Sequence, residues 1–294
     1  MNVKASTLYK REHKADYGRE RLDILYEDDA LVVINKPSGM LSVPYPGSRA
    51  RTAQDVLEKI LHRKVFVVHR LDRDTSGVMM FALSEGVQHK VMAHWHTMVT
   101  ERLYRAVAEN PRRKEDALPD SGTIDAPLAQ NARHVGYVPH EPDDHAKTVE
   151  ARTHFAVIAR GKTHTLFELS LDTGKKNQIR AHLASRHYPL AGDENYRART
   201  DPFHRLALHA RTLAFVHPLT AEHLKFEVPE SGEWLSYVER GDSSPAVPVW
   251  RDKSSPYNKK PADSSRGTAV PQKPVSRKEL RKMDFIAKGH HKQR

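Results

Sequence analysis

The stretch His69-Arg70-Leu71-Asp72-Arg73-Asp74-Thr75-Ser76-Gly77 places two carboxylates and two guanidiniums within five residues. Apolar runs flank it, Val65-Phe66-Val67-Val68 before and Val78-Met79-Met80-Phe81-Ala82-Leu83 after. Charges set between buried strands must be paired, so such a cluster is costly unless it has a task. The competing reading is a polar turn in which Gly77 supplies backbone freedom. Asp72 is the residue best suited to chemistry. Arg70 and Arg73 are expected to hold its carboxylate ionised, because nearby positive charge favours the anion. An ionised aspartate at a strand end can serve as a covalent nucleophile or a general base. Asp74, ahead of Thr-Ser-Gly, is the weaker candidate, since an aspartate there commonly hydrogen-bonds its own turn.

The elements that must position this loop follow from hydrophobic periodicity. Leu22 to Tyr26 and Ala30 to Asn35 read as short strands around a Glu27-Asp28-Asp29 turn. Thr52 to His62 reads as a helix capped by Thr52, with Val56, Leu57, Ile60 and Leu61 on one face. Val65 to Val68 and Val78 to Leu83 are strands on either side of the charged loop. A helix is expected from a Ser84 cap through Met98, then a strand from Leu103 to Ala108. Residues 110–145, rich in Pro, Asp, His and Asn, read as an irregular excursion. Val149 to Ala159 and Thr165 to Leu171 form a hairpin through Arg160-Gly161-Lys162. A helix spans Gln178 to His187, and strands follow at Leu206 to Val216 and His223 to Val228. Several strands are joined too tightly for parallel crossovers. The expected fold is α+β, a mixed and largely antiparallel central sheet with packed helices.

Composition narrows the class. The 294 residues contain no cysteine, which excludes disulfides, thiol nucleophiles and cysteine-ligated metal. No apolar run approaches the ~20 residues that span a bilayer, and the charged N-terminus lacks an apolar signal core. A cytoplasmic protein with no membrane partner is expected. His94 and His96 flank Trp95, and His134, His140 and His145 lie in the 110–145 excursion. Neither group has metal-ligand spacing, so no metal site is expected. Charge is uneven. Residues 251–294 hold 13 Lys/Arg against 4 Asp/Glu, a balance of +9, while the first 250 carry only +2. A basic tail of this kind is a footprint of nucleic-acid binding. Three segments are therefore expected: an extension at 1–21, a domain at 22–240 and a basic tail at 241–294. The tail's scattered prolines disfavour a packed core, and only a short helix at 276–287 is expected within it.

The charged loop resembles the signature of the RluA-type pseudouridine synthases. So do four further segments in the family's order. Tyr26-Glu27-Asp28-Asp29 through Asn35-Lys36-Pro37-Ser38-Gly39-Met40 is similar to its first motif. Arg102-Leu103-Tyr104-Arg105-Ala106 is similar to its tyrosine strand. Thr173-Gly174-Lys175-Lys176-Asn177-Gln178-Ile179-Arg180-Ala181-His182-Leu183 is similar to a later motif. Pro189-Leu190-Ala191-Gly192-Asp193, Leu208-His209-Ala210 and His217-Pro218 continue the match. Two departures stand out: many members have His at the position of Asn177 and Arg at that of Lys175. The resemblance implies the family's catalytic fold and the isomerisation of uridine in RNA, rRNA or tRNA, to pseudouridine. It implies Asp72 as nucleophile, Tyr104 stacked on the uracil and helping to remove the C5 proton, and Arg180 paired with Asp72. It implies RNA contacts from Arg70, and the basic residues Lys36, Arg73, Lys175 and Lys176 are expected to add others. Such an isomerisation needs no cofactor, and the enzyme is expected to act as a monomer. With 21 residues before Leu22, no S4-like domain of the kind many relatives carry is expected ahead of the catalytic one.

Two rival readings are weaker. A non-catalytic RNA-binding or ribosome-assembly protein on the same fold is disfavoured by intact Asp72, Tyr104 and Arg180. A glycoside hydrolase using Asp72 and Asp74 is disfavoured because carboxylates two residues apart seldom flank a sugar from opposite faces.

Overall fold

The computed structural model describes residues 22–45, 47–139 and 147–240. The expected extension at 1–21, the basic tail and the helix at 276–287 lie outside the described residues. The chain opens with a tight hairpin of β1 (Asp23–Glu27) and β2 (Leu31–Lys36). Its turn is closed by Asp28, whose Oδ1 accepts the backbone N–H groups of Ala30 and Leu31. Helix α1 (Ala53–Leu61) starts where expected: Thr52 and Asp55 form a reciprocal capping box. Next come β3 (Phe66–Val67), β4 (Ser76–Ala82), α2 (Glu85–Ala93), α3 (Trp95–Met98) and β5 (Val99–Glu109). They are followed by β6 (Ser121–Asp125), β7 (Ala129–Gln130), β8 (Gly136–Tyr137), β9 (Arg152–Arg160) and β10 (His164–Leu171). The domain closes with α4 (Gln178–Ser185), β11 (Leu208–Val216), β12 (His223–Glu227) and α5 (Gly232–Arg240).

Eight strands lie in the order β1-β2-β4-β11-β5-β10-β9-β6, with β3 added to β4 and β12 to β11. Every pairing is antiparallel except β4 with β11. The α+β arrangement and the largely antiparallel sheet are therefore as expected. Apolar side chains cover both faces. On one, Val32, Ile34, Met79 and Phe81 meet Val56 and Leu57 of α1, and Phe167 and Leu169 meet Ile179 and Leu183 of α4. Tyr104 packs against both of these cores. On the other, Val78, Met80 and Phe215 meet Val87 and Val91 of α2, while Val107 and Leu166 meet Trp234 and Val238 of α5. Among the described residues no helix is long and apolar enough to cross a membrane.

The departures from the sequence reading have local causes. Ser76 and Gly77 belong to β4 rather than to the turn before it. Gly77 (φ +115°) pairs with Ala210, and a Cβ there would lie 2.1 Å from the Ala210 carbonyl oxygen, so only glycine lets the two strands close. The helix expected from Ser84 to Met98 breaks at His94 into α2 and α3. The 110–145 excursion is not irregular throughout: β6 forms the sheet's far edge, and β7 and β8 form a separate hairpin. Helix α5, absent from the sequence reading, buries Trp234 and Val238 with Tyr237 packed beside them, an i, i+3, i+4 stripe of the kind that marks an amphipathic helix.

Candidate active site

Asp72 lies in the loop between β3 and β4, and that loop is held from both sides by the segment after β2. The Ser42 hydroxyl donates to the Leu71 carbonyl at 2.7 Å and accepts from the Leu71 N–H at 3.1 Å. The Ser38 hydroxyl donates to the Asp74 carbonyl at 2.7 Å, and the Gly39 N–H to that of Arg73 at 3.0 Å. Lys36 completes the tie. Its Nζ donates to the carbonyls of Pro37 (2.9 Å), Met40 (2.7 Å) and Arg73 (3.0 Å). Lys36 was expected to face RNA; it is instead 0 % exposed and works as an internal strut. Upstream, the His69 Nε2 accepts the Met80 N–H at 3.0 Å and the ring packs on Trp95. Burial, and then the charge of Arg102, pushes its pKa down to about 3, so the imidazole is neutral and free to accept.

Burial also lowers the Lys36 pKa from 10.5 to about 7, against the opposing pull of Asp74 and Asp72. The folded protein then holds fewer protons than the unfolded chain between about pH 7 and 10.5. Stability conferred at this position is lost as pH falls through that window and gained as pH rises. Wild type is therefore expected to gain on Lys36→Met by a few kcal/mol, on the order set by the shift, between pH 7 and 9.5. Urea unfolding of both proteins at several pH values checks this; a constant difference would mean that Lys36 does not titrate in that range.

The Asp72 carboxylate is 27 % exposed, at the mouth of the site. Its Oδ2 accepts the Asn177 Nδ2 at 2.7 Å and the Arg180 Nη1 at 3.2 Å. Arg180 sits in the first turns of α4 and is itself held by a buried fork. Its Nε and Nη2 donate to Asp193 Oδ2 (2.7 Å) and Oδ1 (2.8 Å), and the Tyr196 ring lies 5.3 Å from the guanidinium. Burial opposes this charge, but hydrogen bonds and charge from Asp193, then Asp72, outweigh it and raise the Arg180 pKa. The positive partner of Asp72 is thus Arg180, not Arg70 or Arg73. Arg70 is exposed; Arg73 is exposed as well, donating to the Gly39 carbonyl at 3.1 Å and lying 3.9 Å from Asp74. Adjacency in the chain does not make side chains converge: Asp72 opens a turn closed by the Thr75 N–H on its carbonyl at 3.2 Å, and Arg73 stands exposed on that turn.

Sheet register brings Tyr104 to the same place. Tyr104 pairs with Ala210, and Ala210 with Gly77 at the start of β4, so the three form a row across neighbouring strands. Burial raises the Tyr104 pKa, with Arg102 opposing and Asp72 adding to the rise, so the phenol remains neutral beside the carboxylate. Lys175 and Lys176 are exposed in the turn before α4. That turn is fixed by Gln178, whose Oε1 accepts from the Thr173 hydroxyl at 2.7 Å and the Lys175 N–H at 3.0 Å. In the linear motifs Asn177 is a loop variation and Asp193 carries no visible role. Asn177 touches Asp72, and Asp193 anchors Arg180. The motif Ala191-Gly192-Asp193 was visible, but its partner lies 13 residues away. Among the described residues no three His, Asp or Glu side chains gather as a metal-holding group.

Residues 30–185, which contain Asp72, Tyr104, Asn177 and Arg180, match the family model of the RNA pseudouridylate synthases. The chain belongs to this family. It is 35% identical over 234 residues to the uncharacterized RNA pseudouridine synthase YlyB of Bacillus subtilis, a match covering 74% of this chain and 72% of that one. It is 33% identical over 245 residues to ribosomal large subunit pseudouridine synthase D of Pseudomonas aeruginosa, covering 75% and 72%. The fold of this pseudouridine synthase is shared with human RNA pseudouridylate synthase domain containing 4. That comparison has a TM-score of 0.56 at 24% identity, over 72% of this chain and 90% of the human one. The protein is an RNA pseudouridine synthase, an isomerase.

Proposed function

We propose that this synthase isomerises uridines in structured RNA, foremost in large-subunit rRNA, with Asp72 as its nucleophile. The observation that carries the reading is the partly exposed Asp72 carboxylate, gripped by Arg180 and Asn177 with the neutral Tyr104 beside it. The name of the Pseudomonas relative supports the choice of RNA. The target uridine leaves its stack, at a cost of a few kcal/mol. Its uracil stacks on Tyr104. Asp72 assists scission of the N1–C1′ bond, the uracil turns, and C1′ rejoins it at C5. The C5 proton is relayed through the Tyr104 hydroxyl, which passes its own proton to water as it takes this one, and N1 gains a proton, so the reaction is redox-neutral and requires no cofactor. Arg70, Arg73, Lys175 and Lys176, exposed on the loops that carry Asp72 and Asn177, contact RNA phosphates and offset the cost of flipping. Residues 22–240 form the catalytic domain, and the basic segment 241–294 adds electrostatic contact with RNA. The enzyme works as a cytoplasmic monomer.

The test is to incubate purified protein with unmodified large-subunit rRNA and with tRNA, then map pseudouridine, using wild type and Asp72→Asn. Wild type is expected to modify discrete rRNA positions, and Asp72→Asn none. Modification confined to tRNA would overturn the rRNA assignment. Equal patterns from the two proteins would overturn the assignment of Asp72.

A further inference from the structure

We infer that the β7–β8 hairpin is a positioning element for Asp72, and that Asn177 is the side chain through which it acts. This rests on the assignment of Asp72 as nucleophile. The Asn177 amide stands between two neighbours with opposite demands. Its Nδ2 donates to Asp72 Oδ2 at 2.7 Å, and its Oδ1 faces the Gly136 N–H of β8 at 3.4 Å. Turned over, the amide would set N–H against N–H and oxygen against carboxylate. The hairpin's N–H therefore fixes which end of Asn177 meets Asp72. Asn177 also occupies the left-handed region (φ 56°), which asparagine tolerates better than most residues.

The other polar group of the same residue is engaged as well. The Gly136 carbonyl accepts the Tyr196 hydroxyl, and the Tyr196 ring lies against the guanidinium that reaches Asp72. One backbone group of Gly136 thus acts on a side chain that holds the carboxylate, and the other on the ring packed against the second such side chain. Close approach makes glycine necessary: a Cβ at 136 would lie 2.7 Å from the Lys176 carbonyl oxygen. A small apolar cluster of Leu128, Ala151 and Ala181, joined by Val138 and Tyr196, packs the hairpin's flanks against α4. The turn at its tip, with Arg133 and His134, is exposed. A hairpin free at the tip and tied at the base to the partners of Asp72 links contact with a structured RNA to alignment of the nucleophile.

The experiment compares Asn177→Ala, Asn177→Asp, Gly136→Ala and the double variant Asn177→Ala/Gly136→Ala with wild type. Single-turnover rates are measured at saturating enzyme on modifiable rRNA. RNA affinity is measured in an Asp72→Asn background, and Tm for each protein. Asn177→Asp keeps the size and the left-handed tolerance of asparagine but replaces the donor with a second carboxylate, so it probes the contact without disturbing the fold. Asn177→Ala is expected to slow the reaction about 10- to 100-fold, the range for a lost hydrogen bond to a charged group. Asn177→Asp is expected to lose more, and Gly136→Ala several-fold. The double variant is expected to lose less than the product of the single losses, because the two changes act through one amide. RNA affinity should stay within about twofold of the Asp72→Asn parent, the noise expected for sites that do not contact the ligand. A wild-type rate for Asn177→Asp, multiplicative losses in the double variant, or losses that follow Tm or affinity would each overturn the inference. Activity in Asp72→Asn alone would instead overturn the nucleophile assignment, so the two failures are told apart.

Discussion

Asp72→Asn is expected to lower the single-turnover rate of pseudouridine formation on the order of 10⁴-fold or more, the scale seen when a nucleophile is removed. The substitution is nearly isosteric. The asparagine oxygen can still accept from Asn177 Nδ2 and Arg180 Nη1, so the side chain keeps its partners while losing the charge that the proposed reaction requires. The loop itself does not depend on that side chain. Its backbone is held by Lys36, Ser38 and Ser42, none of which touches the carboxylate through these bonds. Arg180 also keeps its two bonds to Asp193. Unfolding free energy is therefore expected to change by less than about 1 kcal/mol, as for substitutions that leave no buried charge unpaired. Rapid-mixing assays with a synthetic rRNA fragment, alongside RNA binding and urea unfolding, check all three quantities. A residual rate above about 1% of wild type would be too small a loss for a missing nucleophile and would remove Asp72 from that role.

The fold was largely legible because its elements announce themselves locally. The Thr52–Asp55 capping box, the Asp28 turn and the β9–β10 hairpin are each specified by residues a few positions apart. The site was legible in part for a related reason. Aspartate, tyrosine and arginine stood in recognisable motifs; sheet register then set Tyr104 beside the Asp72 loop, and α4 carried Arg180 to it. What escaped depended on distant partners. Lysine is seldom fully buried, so Lys36 beside a proline read as a surface charge. The Arg73 carbonyl that helps to hold it lies 37 positions further on. Arg70 and Arg73 seemed the natural partners of Asp72 because they adjoin it, whereas the guanidinium that reaches it lies 108 residues away. Asn177 looked like a tolerated variation, since nothing in a linear motif shows that its amide faces a carboxylate on one side and a backbone N–H on the other.

Arg180 and Asp193 allow stability and catalysis to be separated. Asp193 is fully buried and Arg180 nearly so, and each satisfies the other through a two-pronged contact. Arg180→Met leaves a buried carboxylate without its partner, and Asp193→Leu leaves a buried guanidinium with only Asp72. Either change is expected to cost about 3–5 kcal/mol, because an uncompensated charge in the interior is more expensive than the absence of both charges. The double variant Arg180→Met/Asp193→Leu carries neither charge and is expected to recover most of that loss. Its activity should not recover. Asp72 would still lack the guanidinium that holds its Oδ2, and the rate should stay at least about 100-fold below wild type, in keeping with a lost charged contact at the reacting group. Urea unfolding and single-turnover rates on the four proteins of this cycle decide the matter. A double variant as unstable as the sum of its parents would mean that the two side chains are uncoupled and that neither single loss comes from breaking the pair. A double variant that turns over like wild type would mean that Asp72 does not need Arg180. A stable but inactive double variant would show that Arg180 is required at Asp72 and not by the fold.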